Sequence, residues 1–170
     1  MNEWNPVEPQ VRLFDQYVAS FDRQPIIFDS HESKIANRRV ASVDDACEVF
    51  FTSSPGWLIR LMQFRNKLVG RFGFASGDHG PPQMITPIPI GHQMSVFTVI
   101  DRSDSEILLG VEDDRITMRL GIEVSDGRLS LRTAAYNKDS IGRAYLTVVK
   151  VPHGPIAASM MRRIAHGETP

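Results

Sequence analysis

The chain has 170 residues, 42% hydrophobic and 23% charged, with a net charge of −1, which suits one globular domain and argues against a disordered chain or a polyanion binder. Its single cysteine, Cys47, excludes an internal disulfide or redox pair and is read as a small core residue rather than a nucleophile. No run approaches the roughly 20 apolar residues of a membrane span, and Met1 to Pro6 show no secretory leader, so a cytoplasmic location is expected.

Residues 1–11, with Pro6 and Pro9, are read as a loose arm, residues 12–166 as one domain and residues 167–170 as a tail. From Leu13 to Phe21, Phe14, Gln16, Val18 and Ser20 alternate against Asp15, Tyr17, Ala19 and Phe21, which predicts a first strand. Residues 22–41 receive no assignment beyond a short strand option at Pro25 to Phe28. Ser42 is a good N-cap, Asp44 and Asp45 suit a first turn, and Val43, Cys47, Phe50 and Phe51 form one apolar stripe. A short helix ending near Thr52 follows from this. Ser53-Ser54-Pro55 starts a second helix that runs to Arg71, with Trp57, Leu61, Phe64, Leu68 and Phe72 at helical spacing and Gly73 closing it. Asp78 to Pro82 is a loop, and Pro87 and Pro89 limit Met84 to Ile90 to an edge strand at most.

Gly91 to Asn137 reads as four antiparallel strands. Ile116, Met118, Leu120, Ile122 and Val124 share one face, and Arg115, Thr117, Arg119, Gly121 and Glu123 the other. Asp126-Gly127 suits a type I′ turn, which pairs Val124 with Leu129, Ile122 with Leu131 and Leu120 with Thr133. A two-residue turn at Asp113-Asp114 would pair Val111 with Ile116 and Leu109 with Met118. One at Ser103-Asp104 would pair Ile100 with Ile107 and Thr98 with Leu109. The apolar faces then coincide, and the opposite face, carrying Arg119, Glu123, Ser130 and Arg132, is expected in solvent. Beyond Ser140, Ile141, Tyr145, Val148, Pro152, Ile156, Met160 and Ile164 recur every three or four residues. They predict a long C-terminal helix kinked at Pro152; the competing reading makes Tyr145 to Val151 a fifth strand.

A strand, two short helices, an antiparallel meander and a long final helix is the order of the α+β helix-grip fold, a curved sheet wrapped around the last helix. Trp57, Leu61, Arg65-Asn66, Phe72-Gly73, Gly91, Gly110 with Asp113-Asp114, Gly142-Arg143, Tyr145 and Pro152-His153 resemble a bacterial domain-of-unknown-function family. Its members occur alone or fused to short-chain-dehydrogenase-like proteins, and it is similar to the START-like, polyketide-cyclase-like superfamily. The resemblance covers residues 42–166 and departs from the pattern at Arg115-Ile116, where His-Leu is expected. It implies a cavity for an apolar ligand and supplies no catalytic residues.

His31, His79, His92, His153 and His166 are scattered, and no phosphate loop, nucleophile elbow or dinucleotide motif is present. Neither a metal site nor a cofactor is expected. Asp113-Asp114 reads as turn chemistry. Arg65, Asn66, Arg143 and His153 are the polar positions within the family-like motifs, where they either tie helix ends to the sheet or meet a ligand. The leading expectation is a non-catalytic module whose cavity is lined by Val96, Thr98, Leu109, Met118, Leu120, Leu131 and Thr133 and closed by Tyr145, Val149, Ile156 and Met160. The same residues would equally fill a dry core. A cyclase-, isomerase- or hydrolase-like enzyme using that cavity is one alternative. The other is an interaction or membrane-surface module using the basic faces of Arg60, Arg65, Lys67 and Arg71 or of Arg143, Lys150, Arg162 and Arg163. No nucleic-acid partner is expected, and the oligomeric state is left open.

Overall fold

Alternating side chains with one apolar face force the central segments into a sheet. The computed structural model describes residues 12–52 and 84–167. Its strands are β1 (Ile27–Lys34), β2 (Gln93–Met94), β3 (Phe97–Arg102), β4 (Glu106–Glu112), β5 (Ile116–Ser125) and β6 (Arg128–Asn137). All neighbours pair antiparallel in the order β1-β6-β5-β4-β3-β2. Among the described residues three helices accompany them: α1 (Leu13–Ala19), α2 (Val43–Thr52) and α3 (Ser140–His166). The long α3 lies over β6 and β1, and α2 over β5 and β4. This is an α+β fold in the helix-grip arrangement. The second helix expected from Pro55 to Arg71 lies outside the described residues.

The inner face, under α2 and α3, holds two apolar clusters. The larger joins Val99, Ile107, Leu109, Leu120, Ile122, Leu129 and Leu131 to Val43 and Cys47 of α2 and to Met161 and Ile164 of α3. The smaller joins Ile27, Ile116 and Ala135 to Leu146 of α3. Burial drives the Cys47 thiol far above its usual range, which leaves it an unreactive core residue. Ser42 and Asp45 form a reciprocal cap: the Asp45 amide donates to Ser42 Oγ at 3.2 Å, and the Ser42 amide to Asp45 Oδ2 at 2.8 Å. The neighbouring Asp44 is buried and accepts two bonds from Arg102, each 3.1 Å long, and one of 2.8 Å from the Ile88 amide. One carboxylate thereby ties α2 to β3 and to the chain before β2.

The Asp126-Gly127 turn has φ of 51° and 70° and the expected register, with Val124 opposite Leu129, Ile122 opposite Leu131 and Leu120 opposite Thr133. The other two hairpins correct the sequence reading. Between β4 and β5 the pairing is Val111 with Met118 and Leu109 with Leu120, two residues away from the register that an Asp113-Asp114 turn demands. Asp113 is the reason: its carboxylate accepts from the amides of Arg115 and Ile116, both at 2.8 Å, and holds a longer loop. Between β3 and β4 a bulge lies between Val99 and Asp101, so Thr98 pairs with Gly110 and Ile100 is turned to the outer face.

The N-terminal segment and the sheet's outer face correct it too. Residues 13–19 are a helix rather than a strand, because Phe14, Tyr17, Val18 and Phe21 share one face at helical spacing and pack on Leu108, Ala134 and Tyr136. The outer face is therefore covered rather than bathed in water. Phe21 stacks on Tyr136 with centroids 4.0 Å apart. Arg119 lies over Phe21 and Arg132 over Phe14, and Arg132 pairs with Asp15. Glu106, 3% exposed, accepts from the first two amides of α1, Leu13 and Phe14, at 2.7 and 3.0 Å. Residues 84–90, an edge strand at most by sequence, form no strand.

The C-terminal segment is one helix that runs through Pro152 and Pro155, so Tyr145 to Val151 is not a strand. Val148 and Pro152, placed by the periodicity on the inner stripe, are exposed. Met160 and Ile164 of that stripe are buried as expected, joined by Gly142, Leu146, Met161 and Ala165. At its start Asp139 accepts from the Gly142 amide at 2.8 Å and pairs with Arg115. At its end the amides of Ala36 and Asn37 reach the Ala165 carbonyl at 2.7 and 2.8 Å, and Asn37 Nδ2 reaches that of Ile164 at 3.0 Å.

Two predictions follow from close packing and burial. A methyl at Gly142 would sit 2.1 Å from the Arg115 carbonyl oxygen, whereas Gly154 has open space. Urea melts should show Gly142→Ala losing about 1–3 kcal/mol and Gly154→Ala gaining roughly 0.4–1 kcal/mol; equal effects contradict this packing. Burial raises the Glu106 carboxyl above its ordinary 4.5, against the pull of the Phe14 and Leu13 amides. A raised carboxyl binds its proton more tightly in the folded state, so its contribution falls as pH climbs from its ordinary value through its native one. The stability of the wild type minus that of Glu106→Gln should decline as pH rises above the ordinary 4.5, and a flat difference refutes the assignment.

Candidate functional site

β1 is the edge strand beside α3, and its residues alternate strictly. Ile27, Asp29, His31 and Ser33 are buried or half-buried, while Phe28, Ser30, Glu32 and Lys34 are exposed. The inward set is thus one apolar residue followed by three polar ones, an unusual row to turn toward a helix. Two of the three meet polar partners on α3. His153 Nδ1 lies 2.5 Å from Asp29 Oδ2, and Ser33 Oγ lies 3.2 Å from His166 Nε2. Since a carboxylate only accepts, Nδ1 is the donor in the Asp29–His153 pair, and Nε2 is the ring nitrogen outside that contact. Between these contacts His31 has its Nε2 sealed from solvent with no hydrogen-bond partner among the described residues.

Across the sheet Asp29 pairs with Thr133 of β6, which in turn pairs with Leu120 of β5. Paired residues stand on the same side of a sheet, so Thr133 shares the inner face with Asp29, and it is 5% exposed. Val149, one turn before His153 on α3, belongs with the half-buried Met118 and Tyr145 to the smaller apolar cluster. Ile156, one turn after His153, is half-buried as well. The arrangement is a polar centre of Asp29, His153 and Thr133 bordered by apolar side chains that keep some accessible surface.

The residues expected to line a cavity divide into groups. Met118, Tyr145 and Val149 are brought together around Ile116 and Ala135. Leu109, Leu120 and Leu131 belong to the larger cluster and are nearly fully buried, as is Met160. Val96 lies in the turn between β2 and β3. Thr98 stands on the outer face with Gly110 and donates to Gln93 Oε1 at 3.0 Å. Of the motif-like polar positions, His153 meets Asp29, Arg143 is exposed, and Arg65 and Asn66 lie outside the described residues. A separate depression, open to solvent, is lined by Ile35, Asn37, Val40, Val124 and Gly127 at the far end of β1. It contains none of the expected residues.

Sequence reasoning missed Asp29 and His31, which fall in the segment left without assignment. The signal was present as the alternation from Ile27 to Lys34, hidden because an edge strand can carry charge on its outward face.

Residues 23–160 match the family described as Protein of unknown function (DUF2867), and the chain belongs to that family. The match omits α1 and extends earlier than the motifs noted above, to include β1. No curated protein and no solved structure matches the chain.

The Asp29–His153 contact is testable by a double-mutant cycle with Asp29→Ala and His153→Ala. Chemical denaturation should give a coupling of about 0.5–1 kcal/mol, and strictly additive losses would show the pair to be absent in solution.

Proposed function

For a DUF2867 member built in this way, we propose a non-catalytic module that holds a small, mainly apolar ligand between the inner sheet face and α3. The observation that carries the reading is the set Met118, Tyr145, Val149 and Ile156, partly accessible apolar side chains beside the buried Thr133 and the half-buried Asp29–His153 pair. Small-molecule sites combine an apolar lining with a few polar groups that fix orientation, and methionine supplies an adaptable wall. The helix-grip arrangement, a sheet packed beneath a long last helix, agrees with the same reading. In this role Met118, Val149 and Ile156 contact the body of the ligand, and Thr133 and His153 Nε2 orient its polar end. Native mass spectrometry and solvent extraction of the purified protein should recover a bound amphiphile. Val149→Trp, which fills the space, should weaken rebinding of the extracted compound about tenfold with the thermal midpoint little changed. Recovery of no compound, together with unaltered probe binding by Val149→Trp, defeats the proposal.

A second reading is favoured by the same carboxylate–imidazole pair: a cyclase-, isomerase- or hydrolase-like enzyme in which Asp29 orients His153 and Nε2 takes a proton from the substrate. It requires turnover of an enolisable ketone or an ester that His153→Ala abolishes while ligand binding persists. Binding without turnover leaves the first reading standing alone.

A further inference from the structure

A helix that buries one apolar face against a sheet is expected to present polar residues to solvent. The first half of α3 does not. Val151 is 80% exposed, Val148 72% and Ile141 41%, and Ala144, Pro152 and Pro155 are exposed with them. Positions 141, 144, 148, 151 and 155 recur at helical spacing, so these side chains form one outer stripe about 21 Å long. Nothing in the helix itself calls for valine there, since β-branched residues are mediocre helix formers. The inner face is already supplied by Leu146, Val149, Met160 and Ile164. The helix is therefore apolar on two opposite sides.

Its charges are equally one-sided. From Ser140 to Gly167 there is no Asp or Glu. Arg143, Lys150 and Arg162 are exposed, and no carboxylate among the described residues pairs with them. Arg162 continues the line of the stripe two turns beyond Pro155, while Arg143 and Lys150 leave the helix to one side of it. Long basic side chains reach sideways along an apolar surface while their charged ends stay in water.

We propose that the outer stripe of α3 docks on an anionic lipid surface, with Ile141, Val148 and Val151 entering the headgroup region and Arg143, Lys150 and Arg162 meeting lipid phosphates. Exposed apolar residues and uncompensated cations on one helix are what an interfacial helix needs. A second copy of the chain fits less well. Two such helices would bring basic segments together with no acid on either helix to offset the repulsion. The proposal stands apart from the ligand reading, because it uses the opposite side of α3.

The test is co-sedimentation of the intact protein with vesicles of phosphatidylcholine alone or enriched in phosphatidylglycerol. Binding should appear only on the anionic vesicles at ~50 mM salt and fade by ~500 mM. The Val148→Asp/Val151→Asp double variant should bind at least about tenfold more weakly, and Lys150→Glu about tenfold. Both positions are exposed, so circular dichroism melts should match the wild type and exclude misfolding as the cause. Absence of binding to anionic vesicles, or equal binding to both kinds, overturns the proposal. So does a dimer in analytical ultracentrifugation that the double variant dissociates, which would assign the stripe to self-association.

Discussion

This sheet has an apolar inner face and an apolar patch on its outer face, and most of the architecture answers the need to cover both. On β4, Ile107 and Leu109 turn to the inner cluster while Leu108 turns to the outer one. On β6, Leu129 and Leu131 go one way and Ala134 and Tyr136 the other. Each large side chain so buried contributes about 1.5–3 kcal/mol, but only if something covers it. The inner face takes α2 and α3, and the outer face takes α1 and Phe21. Glu106 is the cost of the outer arrangement: a carboxylate buried under the start of a helix, tolerated because two backbone amides would otherwise have no partner there.

The hydrophobic pattern encodes which face a residue takes, and it encodes register only where a turn fixes the count. Asp126-Gly127 has the chemistry of a two-residue turn, and the β5–β6 register was accordingly legible in full. At the β4–β5 connection the pattern allowed any even shift, and the Asp113 side chain selected a longer loop that moved the pairing by two residues without exchanging the faces. The bulge in β3 moved Ile100 across the sheet, which no alternation rule anticipates. In α1 both periods were present over a few residues. The helical one prevailed because Phe14, Tyr17, Val18 and Phe21 could reach one patch together.

The candidate site was legible by halves. Its apolar border came from segments with strong periodicity, so Met118 and Val149 were found. Its polar centre pairs residues 124 positions apart, and one partner sits on an edge strand whose polar composition looked like a loop. Knowing that His153 sits in a helix says nothing about the strand beneath it. Only the β1–β6 pairing, which sets Asp29 beside Thr133, brings the three groups to one place.

The long helix is anchored at its two ends, and its backbone hydrogen bonding is weakest between them. Its start is fastened by Asp139, Arg115 and the Gly142 contact, and its end by Asn37 and the Ala165 carbonyl. Between those ends the rings of Pro152 and Pro155 remove the backbone donors that would close on the carbonyls of Val148 and Val151. The span that weakens is the one lying above Asp29. Bending of α3 would therefore concentrate at its midpoint, and the His153–Asp29 contact is what holds the seam closed there.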